Sequence, residues 1–361
     1  MRRFSKIAAV ALVASMTLAG CGKDDNASGD SAAEGCKSGG DGAKVGIAYD
    51  VGGRGDRSFN DSAWAGMEKA IKELDASCTE AKAAAGENDT QREERLRTLA
   101  DQGFDPVIAV GFIYSPAAAK VAAEFPDTHF SVIDGYSQFL VGDTPLKNLV
   151  DLTFAEEQGS YLVGVAAALK TKAKHVGFVG GTHGDLIKKF EAGYTAGVKS
   201  VDPSIKVEVK YLTEDPNDGK TGFENPAGGK VAAEGQLDKG ADVIYHAAGK
   251  SGNGVFEAVE AAGKGNMAIG VDSDQYLTAS DSQKPFILTS MLKRIDTAVF
   301  DYIKSVDDGK VASGNVTYDL ASDGVGYSTS GGFVDDIKDQ IDAAAEQIKS
   351  GEVKVPTAPA S

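Results

Sequence analysis

The sequence predicts an α/β protein built as two lobes, each a mainly parallel sheet flanked by helices. Three observations predict it. Short apolar runs alternate with stretches of helical spacing from residue 45 onward, the signature of βα units and so of parallel sheets. The alternation restarts after residue 170, so a second lobe follows the first. All the strands together would make one sheet of unusual width, which favours two. With 361 residues, 42% hydrophobic and 25% charged, the chain has material for two cores.

The start of the chain has another pattern. Arg2, Arg3 and Lys6 precede an apolar run over 7–18 and then Leu18-Ala-Gly-Cys21. This is a secretory signal, too short to span a membrane, and its end resembles the lipobox of bacterial lipoproteins. Residues 1–20 are expected to be removed and Cys21 to carry lipid, anchoring the chain on the extracytoplasmic face of the cell membrane. Residues 21–43, rich in Gly, Ser, Ala and Asp, read as a flexible tether. The formal charge is −16; without Arg2, Arg3 and Lys6 it falls to −19, 34 basic residues against 53 acidic. Such a balance repels nucleic acid and anionic headgroups and disfavours a phosphorylated ligand. Cys36 and Cys78 are candidates for a disulfide that pins the start of the domain, in a compartment that permits one. No His lies near either, so they do not form a zinc site.

The elements follow in order. Strands are predicted over 45–49, weakly over 79–83, and over 106–110, 129–133 and 148–152. Helices are predicted over 62–74, 90–101 (with Asn88 or Asp89 as N-cap), 116–124 and 157–170. The second series has strands at 176–179, 206–211, 243–246 and 267–271, and helices at 186–200, 227–239 and 255–262. After it come a strand at 286–291, a helix at 295–306, short strands at 316–320 and 325–328, and a final helix at 333–348. The assignment is 44–152 plus about 273–309 to the N-terminal lobe, 153–272 plus about 310–350 to the C-terminal lobe, and 351–361 to a tail.

Catalytic signatures are mostly absent. Gly219-Lys-Thr221 and Gly249-Lys-Ser251 echo the end of a P-loop, but Glu214 and Ile244 stand where its first glycine belongs. The four histidines form no His-Glu-x-x-His pattern, and there is no Gly-x-Ser-x-Gly elbow. The suggestive residues are carboxylates: Asp50, Asp134 and Asp272 each follow an apolar strand, where open α/β sheets bind ligands. They suit general acid and base chemistry or the hydroxyls of a sugar equally. Lys293, after the strand at 286–291, either pairs with one of them or is a surface lysine. The loop from Asp50 to Trp64 adds Phe59 and Asn60, and a second loop adds Phe223. Two such rings are either local plugs or a stacking pair for a flat base.

The segments Asp56-Arg-Ser-Phe-Asn60, Thr221-Gly-Phe-Glu-Asn-Pro-Ala-Gly-Gly-Lys230, Gly249-Lys-Ser-Gly-Asn-Gly254, Gly270-Val-Asp-Ser-Asp274 and Ser290-Met-Leu-Lys-Arg-Ile-Asp296 resemble the basic membrane protein (BMP) family. These lipoproteins are the nucleoside-binding components of ABC transporters. The resemblance implies a two-lobed periplasmic-binding-protein type I fold with the ligand in the interlobe cleft. It also implies that Asp50 and Asp134 bond the nucleoside, Phe59 and Phe223 stack on its base, and Asp272 with Lys293 holds the ribose, with Asn60, Gly249 and the backbone near Gly111 as liners. The loop at His183-Gly184 departs from the family's usual form, which often has Pro there. The reading is of a monomer that captures nucleosides, purine rather than pyrimidine, by hinge closure, without cofactor, metal or catalysis. It delivers them to an ABC permease driven by a separate ATPase. A sugar-binding protein of the same fold and a secreted nucleoside hydrolase are the alternatives.

Overall fold

A computed structural model describes residues 35–83, 86–142 and 145–360. The expected signal peptide, Cys21 and most of the tether lie outside these residues. The first lobe begins with β1 (Lys44–Tyr49), α1 (Phe59–Glu73), β2 (Ser77–Ala81) and α2 (Asp89–Asp101). It continues with β3 (Val107–Val110), α3 (Ser115–Glu124), β4 (Phe130–Ile133) and β5 (Leu149–Phe154). Sequence explains these choices locally. β3 and β4 are wholly buried and, apart from Ser131, apolar, as strands covered by helices on both faces tend to be. α2 starts with a capping box in which the Asn88 side chain accepts from the backbone N–H of Gln91 and Gln91 reaches back to the N–H of Asn88.

The second lobe runs through α4 (Glu156–Lys170), β6 (His175–Thr182), α5 (Asp185–Val201), β7 (Lys206–Thr213), α6 (Gly219–Phe223) and α7 (Pro226–Asp238). Then come β8 (Val243–Ala247), α8 (Gly252–Ala262), β9 (Met267–Asp272), α9 (Gln275–Thr278) and β10 (Ile287–Lys293). The chain ends with α10 (Ile295–Asp307), β11 (Gly314–Tyr318), β12 (Val325–Tyr327) and α11 (Lys338–Lys349). Among the described residues there are two six-stranded sheets, ordered β11-β5-β4-β3-β1-β2 and β12-β10-β9-β8-β6-β7. Every pairing is parallel except β10 with β12.

Strand pairing corrects the expected lobe boundaries. β10 pairs with β9 in the second sheet, so residues 273–293 do not return to the first lobe. β11 pairs with β5 in the first sheet, although 310–320 was assigned to the second lobe. Helical and strand periods identify elements but not the sheet each will join, so the two late crossings, expected near 272 and 309, fall one strand later, after β10 and after β11. The chain crosses between lobes three times: between β5 and α4, between β10 and α10, and between β11 and β12.

The tether also ends earlier than expected. Cys36 is bonded to Cys78, the backbone N–H of Cys78 donates to Lys37 O, and that of Gly42 donates to Asp75 O, so residues 36–43 lie fixed against the first lobe. At the other end, Val353 and Val355 of the expected tail pack on the core.

The largest apolar cluster runs from α1 and α10 (Met67, Val299, Ile303) to the α4 and α5 face of the second sheet (Leu162, Tyr194, Val198). Smaller clusters lie under α2 and α3 and under α7 and α8. Each fully buried Leu, Val or Met contributes about 1.5–3 kcal/mol. This packing makes rigid lobes whose strand ends face one another.

Candidate functional site

Parallel strands put their C-terminal ends on one side, and both sheets turn that side to the interlobe space. Asp50 follows β1, Asp134 follows β4, Asp272 ends β9 and Lys293 ends β10. Asp134 and Asp272 sit in the left-handed region, with φ of 60° and 64°. A non-glycine residue there costs roughly 1–3 kcal/mol, so surrounding structure holds both carboxylates against local preference. The predicted site residues border one cavity of about 600 Å³, open mouth included. Asp50, Phe59, Asn60 and Asp134 come from the first lobe, and Phe223, Gly249, Asp272 and Lys293 from the second.

Phe59 and Asn60 are not loop residues, as the sequence suggested, but the first turn of α1. The reason is Asp56, whose carboxylate accepts from the backbone N–H groups of Ser58, Asn60 and Asp61 at 2.9, 2.8 and 3.1 Å. With Asp56 as acceptor, the Ser58 hydroxyl is free to donate across the lobes to Asp272 Oδ2 at 2.5 Å. Gly111 permits the approach of Asp50: a Cβ there would lie 2.3 Å from Asp50 Oδ2, and its φ is +114°. On the opposite wall, Phe223 closes α6. A Cβ on Gly181 would meet its ring at 2.3 Å, so the ring lies directly on the β6 backbone. Asn225 fixes the turn behind it, accepting from Gly228 N–H at 2.9 Å and donating its own N–H to Ser251 Oγ at 2.8 Å.

Lys293 is the buried cation of the cavity, 2% exposed, and Lys250 also borders it. Its Nζ meets Asp134 Oδ2 at 2.5 Å and lies 3.3 Å from Glu156 Oε1. Burial favours its neutral form, but Asp134, Glu156 and Asp272 outweigh burial and hold its pKa above the ordinary value. Burial pushes Asp134 up to about 7, with Lys293 opposing and Glu156 adding. Burial also raises Asp50 well above the usual carboxylate range, opposed by Asn60 and assisted by Asp56 and Asp134. Asp272 is raised by burial against the pull of Lys293 and Ser58. Two acceptors on cavity-lining side chains, Asp134 Oδ1 and Asn60 Oδ1, have no hydrogen-bond partner among the described residues. The wall is therefore rich in acceptors and suits a neutral ligand with several donors.

Sequence reasoning passed over Asp56, Ser58, Phe190 and Glu156. An Asp two residues before Ser-Phe-Asn is a readable capping signal, and the motif contained it. Glu156 had no such mark, because an acid in a first helical turn is ordinary. None of the histidines borders the cavity. His246 is fully buried, and burial pushes it down to about 3, so it is neutral. Among the described residues no group of three or more His, Cys, Asp or Glu is arranged to hold a metal ion, and no helix is long and apolar enough to cross a membrane.

Comparison with known proteins gives this architecture a family. The profile described as "ABC transporter substrate-binding protein PnrA-like" (Bmp) matches residues 43–358. The "ABC transporter nucleoside-binding protein BmpA" of Lactococcus lactis is 33% identical, with 99% of each chain covered. An "Uncharacterized lipoprotein" of Pyrococcus abyssi is 34% identical over 79% of this chain and 68% of its own. Among solved structures, an ABC transporter solute-binding protein from Aeropyrum pernix K1 superposes with a TM-score of 0.74 at 28% identity, covering 87% of this chain and 93% of that one. By its profile match, its relatives and its two facing sheets, the chain belongs to the PnrA-like (Bmp) family of ABC transporter substrate-binding proteins.

Proposed function

We propose that the chain captures nucleosides, purine rather than pyrimidine, and hands them to an ABC permease energised by a separate ATPase subunit. It acts as a monomer on the extracytoplasmic face, held to the membrane by lipid on Cys21. The observation that carries this reading is the pairing of Phe59 and Phe223, one from each lobe, on a cavity that also holds Asp50, Asp134, Asp272 and Lys293. Two rings on opposite walls suit the faces of a base, and carboxylates suit the paired hydroxyls of a ribose. The name of the L. lactis relative supports a nucleoside, and that of the P. abyssi relative supports a lipid anchor. A ligand touching both walls favours the closed arrangement by differential contact across the three crossings, and no covalent step is needed.

Calorimetric titration with guanosine, adenosine and ribose tests the reading. A purine nucleoside is expected to bind and ribose alone to bind far more weakly. Tight binding of ribose by itself would sink the nucleoside reading in favour of a sugar-binding protein. Release of free base during incubation would sink capture without catalysis.

A further inference from the structure

The buried cation of the cavity, Lys293, has an ion-pair partner that does not itself border the cavity. Glu156 is completely buried, the first residue of α4, just past the first crossing between lobes. Its Oε1 lies 3.3 Å from Lys293 Nζ, and its Oε2 accepts from Lys189 Nζ of α5 at 3.1 Å. Lys293 is the last residue of β10, immediately before the second crossing, and its Nζ reaches Asp134 of the opposite lobe at 2.5 Å. Lys189, Glu156, Lys293 and Asp134 thus form one chain of alternating charge that lies beside the first two of the three crossings and ends on the opposite lobe. The rings of Phe59, Phe154 and Phe190 surround the ammonium, with centroids 5.2, 5.0 and 5.5 Å from Nζ.

A lysine head on a flexible stem is fixed only by what surrounds it. One carboxylate alone would let the ammonium swing toward its partner as that partner engages a ligand. A second carboxylate on the same lobe as the lysine holds the ammonium independently of the other lobe. Removing that second charge leaves the buried Lys293 ammonium with one fewer anion and the half-buried Lys189 without its partner, which is unfavourable.

We propose that Glu156 is the positioning residue of this cleft, holding the Lys293 ammonium where the ligand meets it, with Lys189 fixing Glu156 from behind. The proposal rests on the reading of Lys293 as a ligand contact. The charged groups facing Lys293 are Asp134 after β4, Glu156 on α4 and Asp272 at the end of β9; Lys189 of α5 faces Glu156 from the other side, with Glu157 of α4 beside both.

The experiment is calorimetric titration of the full chain with adenosine, whose base stays neutral in alkaline buffer, at several values from about pH 8 to 10. Wild-type affinity is expected to show no limb from Lys293 over this range, because Lys293 stays charged; any change from the raised carboxyl of Asp50 is common to wild type and variants. Glu156→Gln is expected to lose roughly ten-fold in affinity and to acquire an alkaline limb as Lys293 deprotonates. Lys189→Met is expected to change affinity in the same direction by less. Lys293→Met separates this proposal from the reading beneath it. If Lys293→Met binds adenosine normally, Lys293 is no ligand contact and both fall. If Lys293→Met loses binding while Glu156→Gln keeps wild-type affinity and the wild-type pH profile, even with a lowered melting temperature, Glu156 is only structural and this proposal alone is overturned. Should Glu156→Gln not fold, Lys189→Met decides, and unchanged affinity there overturns the proposal.

Discussion

Asp134 sets the pH response of the empty cleft. Burial raises its carboxyl to about 7 despite the ammonium of Lys293, so the folded protein binds this proton more tightly than the unfolded chain does. The stability it contributes is complete below the ordinary carboxylate range and is lost as pH rises through about 7. Asp56, raised to about 6 by burial against its backbone hydrogen bonds, acts in the same direction. The surface acid Glu208 has the opposite sign. Lys206 and Lys239 hold it down at about 2, so its contribution is lost only in strong acid and leaves the window near neutrality untouched. The ligand-free protein is therefore expected to melt at a higher temperature at pH 5 than at pH 8, and Asp134→Asn should make that slope shallower. Melting curves at the two pH values decide it; an Asp134→Asn slope as steep as the wild type would remove Asp134 as the source.

Among elements, the pairing of α4 with α5 matters most for the cleft, because α4 begins at Glu156 and α5 carries Ile187, Lys189 and Phe190. The helices meet backbone to backbone. A Cβ on Gly193 would lie 2.1 Å from Glu157 O, one on Gly197 2.1 Å from Tyr161 O, and one on Gly164 2.3 Å from Tyr194 O. No side chain fits at such distances, so any substitution must push the helices apart. Gly197→Ala is expected to destabilise the protein by about 1–3 kcal/mol, although alanine is the better helix former by about 1 kcal/mol. Urea unfolding measures the sum, and unchanged or increased stability would show that the helices separate freely. Both helices were legible in the sequence from their apolar spacing. Their contact was not, because a glycine inside a helical pattern reads as a weakness until the neighbouring helix is known.

For the whole molecule, the two-lobed α/β plan and the neighbourhood of the eight cavity residues were legible for one reason. The ends of apolar strands mark where parallel sheets expose their ligand-facing side, and Asp50, Asp134, Asp272 and Lys293 all stand there. The lobe membership of β10 and β11 was not legible: β10 stays beside β9 in the second sheet, and β11 joins the edge of the first sheet beside β5, far away in sequence. The disulfide lay between these cases: its residues were evident but their separation was not. In the structure Cys36 and Cys78 have Cα atoms 5.2 Å apart, with Cys78 opposite Val45 near the start of the first sheet. The cavity lies beyond the other end of the same strands, at Asp50. Constraint and ligand site are thus separated by the length of β1, and β2, which the bridge secures, is an edge strand with only β1 as neighbour. Bridging residues 42 apart limits the unfolded chain, and such a bridge contributes roughly 2–4 kcal/mol. The paired change Cys36→Ser with Cys78→Ser should therefore lower the first unfolding transition by an amount in that range while leaving nucleoside affinity within about two-fold, since less than 0.5 kcal/mol reaches the far end of rigid strands. Denaturant unfolding and calorimetry on the same preparation test both halves. Intact stability would show that the hydrogen bonds of residues 37–43 hold β2 without the bridge, and a large loss of affinity would show that the cleft depends on the start of the sheet as well as on its end.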